Sequence, residues 1–261
     1  MIRVLDLFSG VGGFSYAAES LVGGFKTTQF VEVDKSCQRV LKKHWPTTPI
    51  HEDIKSFTAT PGSFDLITAG FPCQDISSAG KQLGFSGERS SLFYEIIRLV
   101  GEVRPKFILL ENVRNIVSHA KGETFQEVLF QIAKSGYDAE WSCISASDVG
   151  ACHKRARWWC VAYPNSSGLR GKQTFNDSET SLDIAPRNHT DGLGMEADWQ
   201  SRRESLSPDW RSYVSEPCLR RGDDGLSGRV DRLKQLGNSI VPQVAAIPLT
   251  RIKELYTRHV H

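Results

Sequence analysis

Five short apolar runs, parted by stretches compatible with helices, constrain this chain more than any other feature in it. RVLDLF (3–8), TTQFVEV (27–33), FDLITAG (64–70), KFILLEN (106–112) and RWWCVAY (157–163) read as buried strands. Between them lie FSYAAESLV after the first run, SLFYEIIRLVGEV (91–103) and TFQEVLFQIAKSG (124–136). Leu92, Ile96, Leu99 and Val103 recur at spacings of four, three and four, which places them on one face of a helix. Strands alternating with helices predict an α/β chain whose mostly parallel sheet is covered on both faces. A last apolar stretch, IVPQVAAIPLTRIKELY (240–256), reads as a helix with Pro242 in its first turn.

From Pro164 to about Arg232 the texture changes to Ser, Asn, Asp, Gly and Arg. This is either an irregular insertion or a small loop-rich domain. Trp199, Trp210 and Tyr213 argue against plain disorder, because disordered segments are poor in aromatics. The same residues could equally form a minor core under loops. At 261 residues the chain suits one full-sized domain, with room for a small second lobe. No apolar run is long enough to span a bilayer, and RVLDLF opens the chain without a signal-peptide layout, so a cytoplasmic protein is expected. Of the six cysteines none forms a C-x-x-C pair or a zinc spacing, so no metal is expected. Charge is split along the chain. Residues 1–150 hold 15 Lys and Arg against 17 Asp and Glu, leaving 17 against 13 in the remainder. That basic excess suits contact with phosphates and equally suits a solvated surface.

Three strings carry chemistry. DLFSGVGGFS (6–15) joins the first strand to the first helix, where glycines allow a sharp turn and close approach to a ligand. Glu32 and Asp34 end the second strand, where a carboxylate can accept hydrogen bonds from ribose hydroxyls. Asp53 follows the next short strand and could receive an adenine amino group. Singly, each acid is more often a helix cap or a solvated charge. Together, with no lysine placed as in a phosphate-binding loop, they favour an adenosyl ligand without phosphates. GFPCQDIS (70–77) puts Cys73 on a loop at a strand's carboxyl end, with Pro72 restraining the backbone before it, as suits a nucleophile. In ENV (111–113), Glu111 leaves an apolar strand for the same sheet edge, where partial burial would raise its pKa and let it hold or donate a proton near neutral pH.

These strings resemble those of the DNA (cytosine-5)-methyltransferase family, of bacterial or phage type. HKRAR (153–157) is similar to the family's Gln-x-Arg-x-Arg element, and LGNSIVPQVA (236–245) to its closing Gly-Asn-Ser motif. The resemblance covers roughly 1–163 and 234–257 and implies a Rossmann-like S-adenosylmethionine-dependent methyltransferase fold. It implies a catalytic, cofactor-binding domain of 1–163 plus 233–261, with 164–232 as a small loop-rich target-recognition region. By that pattern Cys73, Glu111, Arg155 and Arg157 are catalytic. Phe8, Gly10, Gly12, Glu32, Asp53, Ile54, Pro72, Leu92, Asn238 and Ser239 bind the cofactor. The substrate implied is double-stranded DNA with the target cytosine flipped out of the helix. A monomer is expected, with a cognate restriction endonuclease as partner if the chain serves restriction-modification rather than phage DNA protection.

Two departures from the family pattern are visible. His153 stands where the family has Gln, while both arginines remain. The family's Arg-Pro-Leu-Thr-like motif is missing, and CLRRGDDGLSGRVDRLKQL (218–236) stands in its place. We expect this segment to take over that motif's support of the recognition region. Arg202, Arg203, Arg211, Arg220 and Arg221 are candidates for base or phosphate contacts, or solvated surface charges. A tRNA cytosine-5 methyltransferase is the nearest alternative, though that branch's Cys-Phe-Thr-like signature is not found. A non-catalytic DNA-binding protein would be expected to lack Cys73 or Glu111. A dinucleotide oxidoreductase leaves the Pro-Cys and Glu-Asn-Val strings unexplained.

Overall fold

Seven strands join in one sheet in the computed structural model, which describes residues 1–72, 91–165 and 239–260. They are β1 (Ile2–Leu7), β2 (Phe25–Val31), β3 (Ile50–His51), β4 (Leu66–Gly70), β5 (Phe107–Val113), β6 (Tyr137–Ile144) and β7 (Arg157–Pro164). Their order is β3-β2-β1-β4-β5-β7-β6. β1 pairs in parallel with β2 and β4, β2 with β3, and β4 with β5. β7 runs antiparallel to both β5 and β6. The first four residues of β4 are all buried, as a parallel strand covered on both faces requires. The chain winds one way from β1 to β3 and the other way from β4 onward. The switch point between β1 and β4 therefore opens a crevice at their carboxyl ends, where ligands of such sheets bind.

Helices α1 (Gly13–Tyr16), α2 (Lys35–His44), α3 (Ser91–Val103), α4 (Glu123–Lys134) and α5 (Pro242–Val260) complete the layers. On one face Ile96, Leu99 and Val103 of α3 and Val128 and Ile132 of α4 bury Leu5, Ile67, Leu110 and Trp158. On the other, Phe14 of α1 and Val244, Ile247 and Ile252 of α5 bury Val4, Leu109 and Trp159. Adjacent residues of a strand point to opposite faces, so Trp158 and Trp159 each fill a different core. Among the described residues neither indole N–H finds a partner, which fits a purely packing role. α5 is tied down by a charge pair. Arg251 donates from Nε and Nη2 to the two carboxylate oxygens of Glu140 at 3.1 and 3.0 Å, and Tyr163 donates to the same group at 3.0 Å.

The expected strands and the helix over 91–103 are found within a few residues of their predicted ends. The stretch FSYAAESLV differs. After α1 it widens into a π-helical turn over Ala17–Val22, and the Gly23 N–H reaches back five residues to the Ala18 carbonyl at 2.9 Å. β6 and α2 had no counterpart among the predicted elements. Among the described residues no helix is long and apolar enough to cross a membrane. The 164–232 region lies, apart from Pro164 and Asn165, outside the described residues, and so do its candidate arginines and aromatics.

Candidate active site

The turn from β1 into α1 is forced by its backbone. Phe8, Gly10 and Gly12 all take positive φ, at 53°, 54° and 87°. For Phe8 that left-handed conformation costs on the order of 1–3 kcal/mol, the kind of strain that collects at ligand sites. A Cβ on Gly12 would fall 2.6 Å from the Trp45 ring, so this glycine is required by packing against Trp45 and Leu41. Glu32 holds the turn from the next strand. Its carboxylate, 8% exposed, accepts the Gly10 N–H at 2.7 Å on one oxygen and the Asp34 N–H at 2.7 Å on the other. Each oxygen keeps a lone pair for a ligand hydroxyl. Asp34 turns the other way: its Oδ1 accepts the Ser36 and Cys37 N–H groups at 2.7 and 3.2 Å, capping α2.

A small cavity lies beyond the turn, lined by Phe8, Ser9, Gly10, Val11 and Gly13 on one side. Gly70, Glu111, Ser239 and Ile240 close it on the other. Four of the expected site residues, Phe8, Gly10, Glu111 and Ser239, thus share one wall-to-wall space. Among the described residues that lining holds no lysine or arginine to pair with phosphates, and its ionisable group is the Glu111 carboxyl. That lining fits a group without phosphates, as S-adenosylmethionine is; Glu32 is not part of it and reaches it through the Gly10 N–H. Asp53, Ile54, Pro72, Leu92 and Gly12 are not part of this lining. Asp53 is exposed and its Oδ1 accepts the Lys55 N–H at 3.0 Å, Ile54 is buried in the core, and Leu92 packs partly against that core. Val33, 69% exposed beside Glu32, is an apolar surface that the sequence reading passed over.

Glu111 sits at the carboxyl end of β5, paired in register with Gly70 on one side and Trp159 on the other. Burial raises its pKa to about 7, against the opposing pull of the Arg157 and Arg155 charges. Arg157 Nε lies 3.1 Å from Glu111 Oε1. Arg155, at a φ of 35°, donates from Nη2 to the Ser239 carbonyl at 2.6 Å and so joins β7's entrance to the far wall of the cavity. Burial, then the Arg157 charge, holds the Arg155 pKa below its ordinary value. His153 is exposed. Cys73 and Asn238 lie outside the described residues. Among the described residues no group of three or more His, Cys, Asp or Glu is placed to hold a metal.

Two further residues organise the site and were missed in the sequence. Asn112, 2% exposed, donates from Nδ2 to the Phe71 carbonyl at 2.9 Å and accepts the Val113 N–H at 2.8 Å. It thereby fixes the chain two residues before Cys73. An asparagine within the apolar run FILLENV was the available signal. Asp6, fully buried, accepts from Ser15 Oγ at 2.8 Å and Thr68 Oγ1 at 2.7 Å, tying α1 and β4 to β1. Burial raises its pKa to about 7 in spite of those hydrogen bonds.

The mostly parallel seven-stranded sheet, with its antiparallel β7 and a small cavity at the switch point, has the Rossmann-like fold of the S-adenosylmethionine-dependent methyltransferases. Within that class the chain belongs to the C-5 cytosine-specific DNA methylase family, whose model it matches over residues 2–209. It is 32% identical to the type II methyltransferase M.CviJI of Paramecium bursaria Chlorella virus IL3A, over 84% of this chain and 54% of that protein. To the type II methyltransferase M.HhaI of Haemophilus parahaemolyticus it is 34% identical, over 66% and 52% of the two chains. The chain spans about half the length of the curated relatives it matches. The S. pombe Dnmt2 methyltransferase shares the fold, with a TM-score of 0.61 over 97% of this chain and 99% of that one at 18% identity.

Proposed function

We propose that this chain methylates C5 of cytosine within a short sequence of double-stranded DNA, with Cys73 as nucleophile. The observation that carries the reading is Glu111. A buried carboxyl with a pKa near 7, paired with Arg157 at the edge from which the Cys73 loop springs, can both hold and give up a proton at neutral pH. C5 of cytosine is a poor nucleophile until a group adds at C6. Cys73 adds there as thiolate, and the electron pair of the C5–C6 bond is drawn toward N3, which Glu111 protonates. S-adenosylmethionine, when bound, supplies an electrophilic methyl group to C5. Loss of the C5 proton to water then re-forms the C5–C6 double bond and expels the thiolate, and N3 returns its proton to Glu111. Arg157 holds the cytosine O2, and Arg155 positions the base through the wall it shares with Ser239. C6 is hidden within a duplex, so the cytosine is flipped into the pocket. Residues 164–232 recognise the target sequence. In this reading the enzyme works as a monomer in the cytoplasm, in restriction-modification beside an endonuclease for the same site, or in protection of phage DNA.

The test is expression of the wild type and Cys73→Ala in a host without cytosine methylation, followed by bisulfite mapping. Methylation at one recurrent short sequence, lost in the variant, is expected. Unmethylated DNA from a soluble, cofactor-binding wild type would overturn the DNA assignment and make tRNA the next substrate to try.

A further inference from the structure

The turn that carries Asp53 and Ile54 is held by a device on α3. Arg98 donates from Nη2 to two backbone carbonyls, those of Ile54 and Phe57, both at 2.9 Å. Its remaining donors are fixed on its own helix: Nε to Glu95 at 2.6 Å and Nη1 to Glu102 at 2.6 Å. The other oxygen of Glu102 accepts the Ala59 N–H at 3.3 Å. One guanidinium and one carboxylate thus grip the turn between β3 and β4 at three backbone points. That turn carries Asp53 and Ile54, and the helix that grips it carries Leu92, so all three meet on one scaffold.

Apolar packing alone does not set the orientation of this turn. Ile54 and Phe57 drop into the core beside α3, and burial of that kind is non-directional. The Ile54–Lys55 peptide links Asp53 to Arg98: its N–H, on Lys55, donates to Asp53 Oδ1 at 3.0 Å, while its carbonyl, on Ile54, accepts from Arg98 at 2.9 Å. A forked, planar guanidinium reaches both carbonyls and both carboxylates at once, whereas a lysine ammonium acts as a point charge.

We propose that Arg98, braced by Glu95 and Glu102, is a positioning residue that sets the turn reading the adenine of the cofactor. This rests on the reading of Asp53 and Ile54 as the adenine side of an S-adenosylmethionine site. Arg98 itself touches no ligand in this account. Its loss should therefore blunt discrimination at the adenine ring more than it weakens the fold.

The measurement is calorimetric binding of S-adenosylhomocysteine and of S-inosylhomocysteine, which carries a 6-oxo group in place of the 6-amino group. It uses the full chain as wild type, Arg98→Ala and Arg98→Lys, with thermal unfolding of each. The wild type should prefer the adenosyl compound, and Arg98→Ala should lower that preference about tenfold, the loss of one well-made hydrogen bond. Arg98→Lys, which keeps the charge and the aliphatic stem, should fall between them and provides the result if the alanine variant fails to fold. An unchanged preference in either folded variant, whatever the unfolding temperature does, would overturn the positioning role. Failure of the wild type to bind either compound would instead overturn the cofactor reading, and the proposal with it.

Discussion

Two carboxyl groups in this fold share a pKa near 7 and differ in what the protein does with them. Asp6 is sealed among Ser15 and Thr68 and serves to hold α1 and β4 together, whereas Glu111 opens onto the cavity beside Arg157. Both are raised chiefly by burial, so both weaken the fold as pH climbs. At low pH each is protonated in the folded and the unfolded chain. Between the ordinary carboxylate range and about pH 7 the unfolded chain releases protons that the folded one retains, and stability falls. For Glu111→Gln that share of the penalty disappears. Its stability relative to the wild type, from urea unfolding, should rise by about 2 kcal/mol between pH 5 and pH 8. A flat difference would mean that Glu111 titrates alike in both states. The same substitution should lower kcat by roughly 10²–10⁴-fold, the usual worth of a positioned acid. Asn112→Ala tests the neighbouring hinge. Freed from the Phe71 carbonyl, the chain before Cys73 loses its fix, and kcat should fall on the order of 10²-fold while S-adenosylhomocysteine binding stays unchanged. Equal losses in both would make Asn112 a general structural residue.

Among the elements, legibility in the sequence followed burial. β4, β5 and β7 announce themselves because strands covered on both faces are continuous apolar runs, and α3 because its apolar positions keep helical spacing. β6, YDAEWSCI, is broken by Asp138, Glu140 and Ser142 and among the described residues pairs only with β7, so no continuous apolar run marks it. α2 buries only Cys37, Gln38 and Leu41. Its start signal was present in Asp34, followed by basic residues in the last turn, but that carboxylate also fitted a ribose-binding role. The positions of Glu32 and Glu111 at the sheet's carboxyl edge were legible because each acid closes an apolar run. Asn112 and Arg98 were not, because their value lies in backbone carbonyls far away in sequence. The Arg251–Glu140 pair is of the same kind, linking α5 to β6 across 111 residues. Arg251→Ala would leave Glu140 buried without its counter-charge. The loss should be about 3–5 kcal/mol by denaturant unfolding at neutral pH. A change under 1 kcal/mol would mean that Tyr163 alone satisfies the carboxylate.

At the scale of the whole molecule, the segment 166–238 leaves the described chain just past β7 and rejoins it at the wall of the cavity. The chain departs just after β7, where the Asn165 N–H is pinned to the Gly136 carbonyl at 3.0 Å. It returns at Ser239, whose carbonyl is held by Arg155 at 2.6 Å. The described lining of the cavity includes Ser239 and Ile240, the two residues that follow the segment. On the proposed reading of 164–232 as the recognition region, sequence recognition and methyl-donor binding should separate. By the resemblance seen in the sequence, the Arg, Asp and Gly-rich stretch 218–232 is expected to take the place of a motif that supports the recognition region, so its removal should disable recognition first. A chain lacking 218–232 is expected to bind S-adenosylhomocysteine within about threefold of the wild type and to unfold cooperatively. It should incorporate no methyl groups into duplex DNA carrying the mapped target. Normal methylation by this variant would show that the stretch has no part in recognition. Loss of cofactor binding together with methylation would place it in the support of the Ser239 wall.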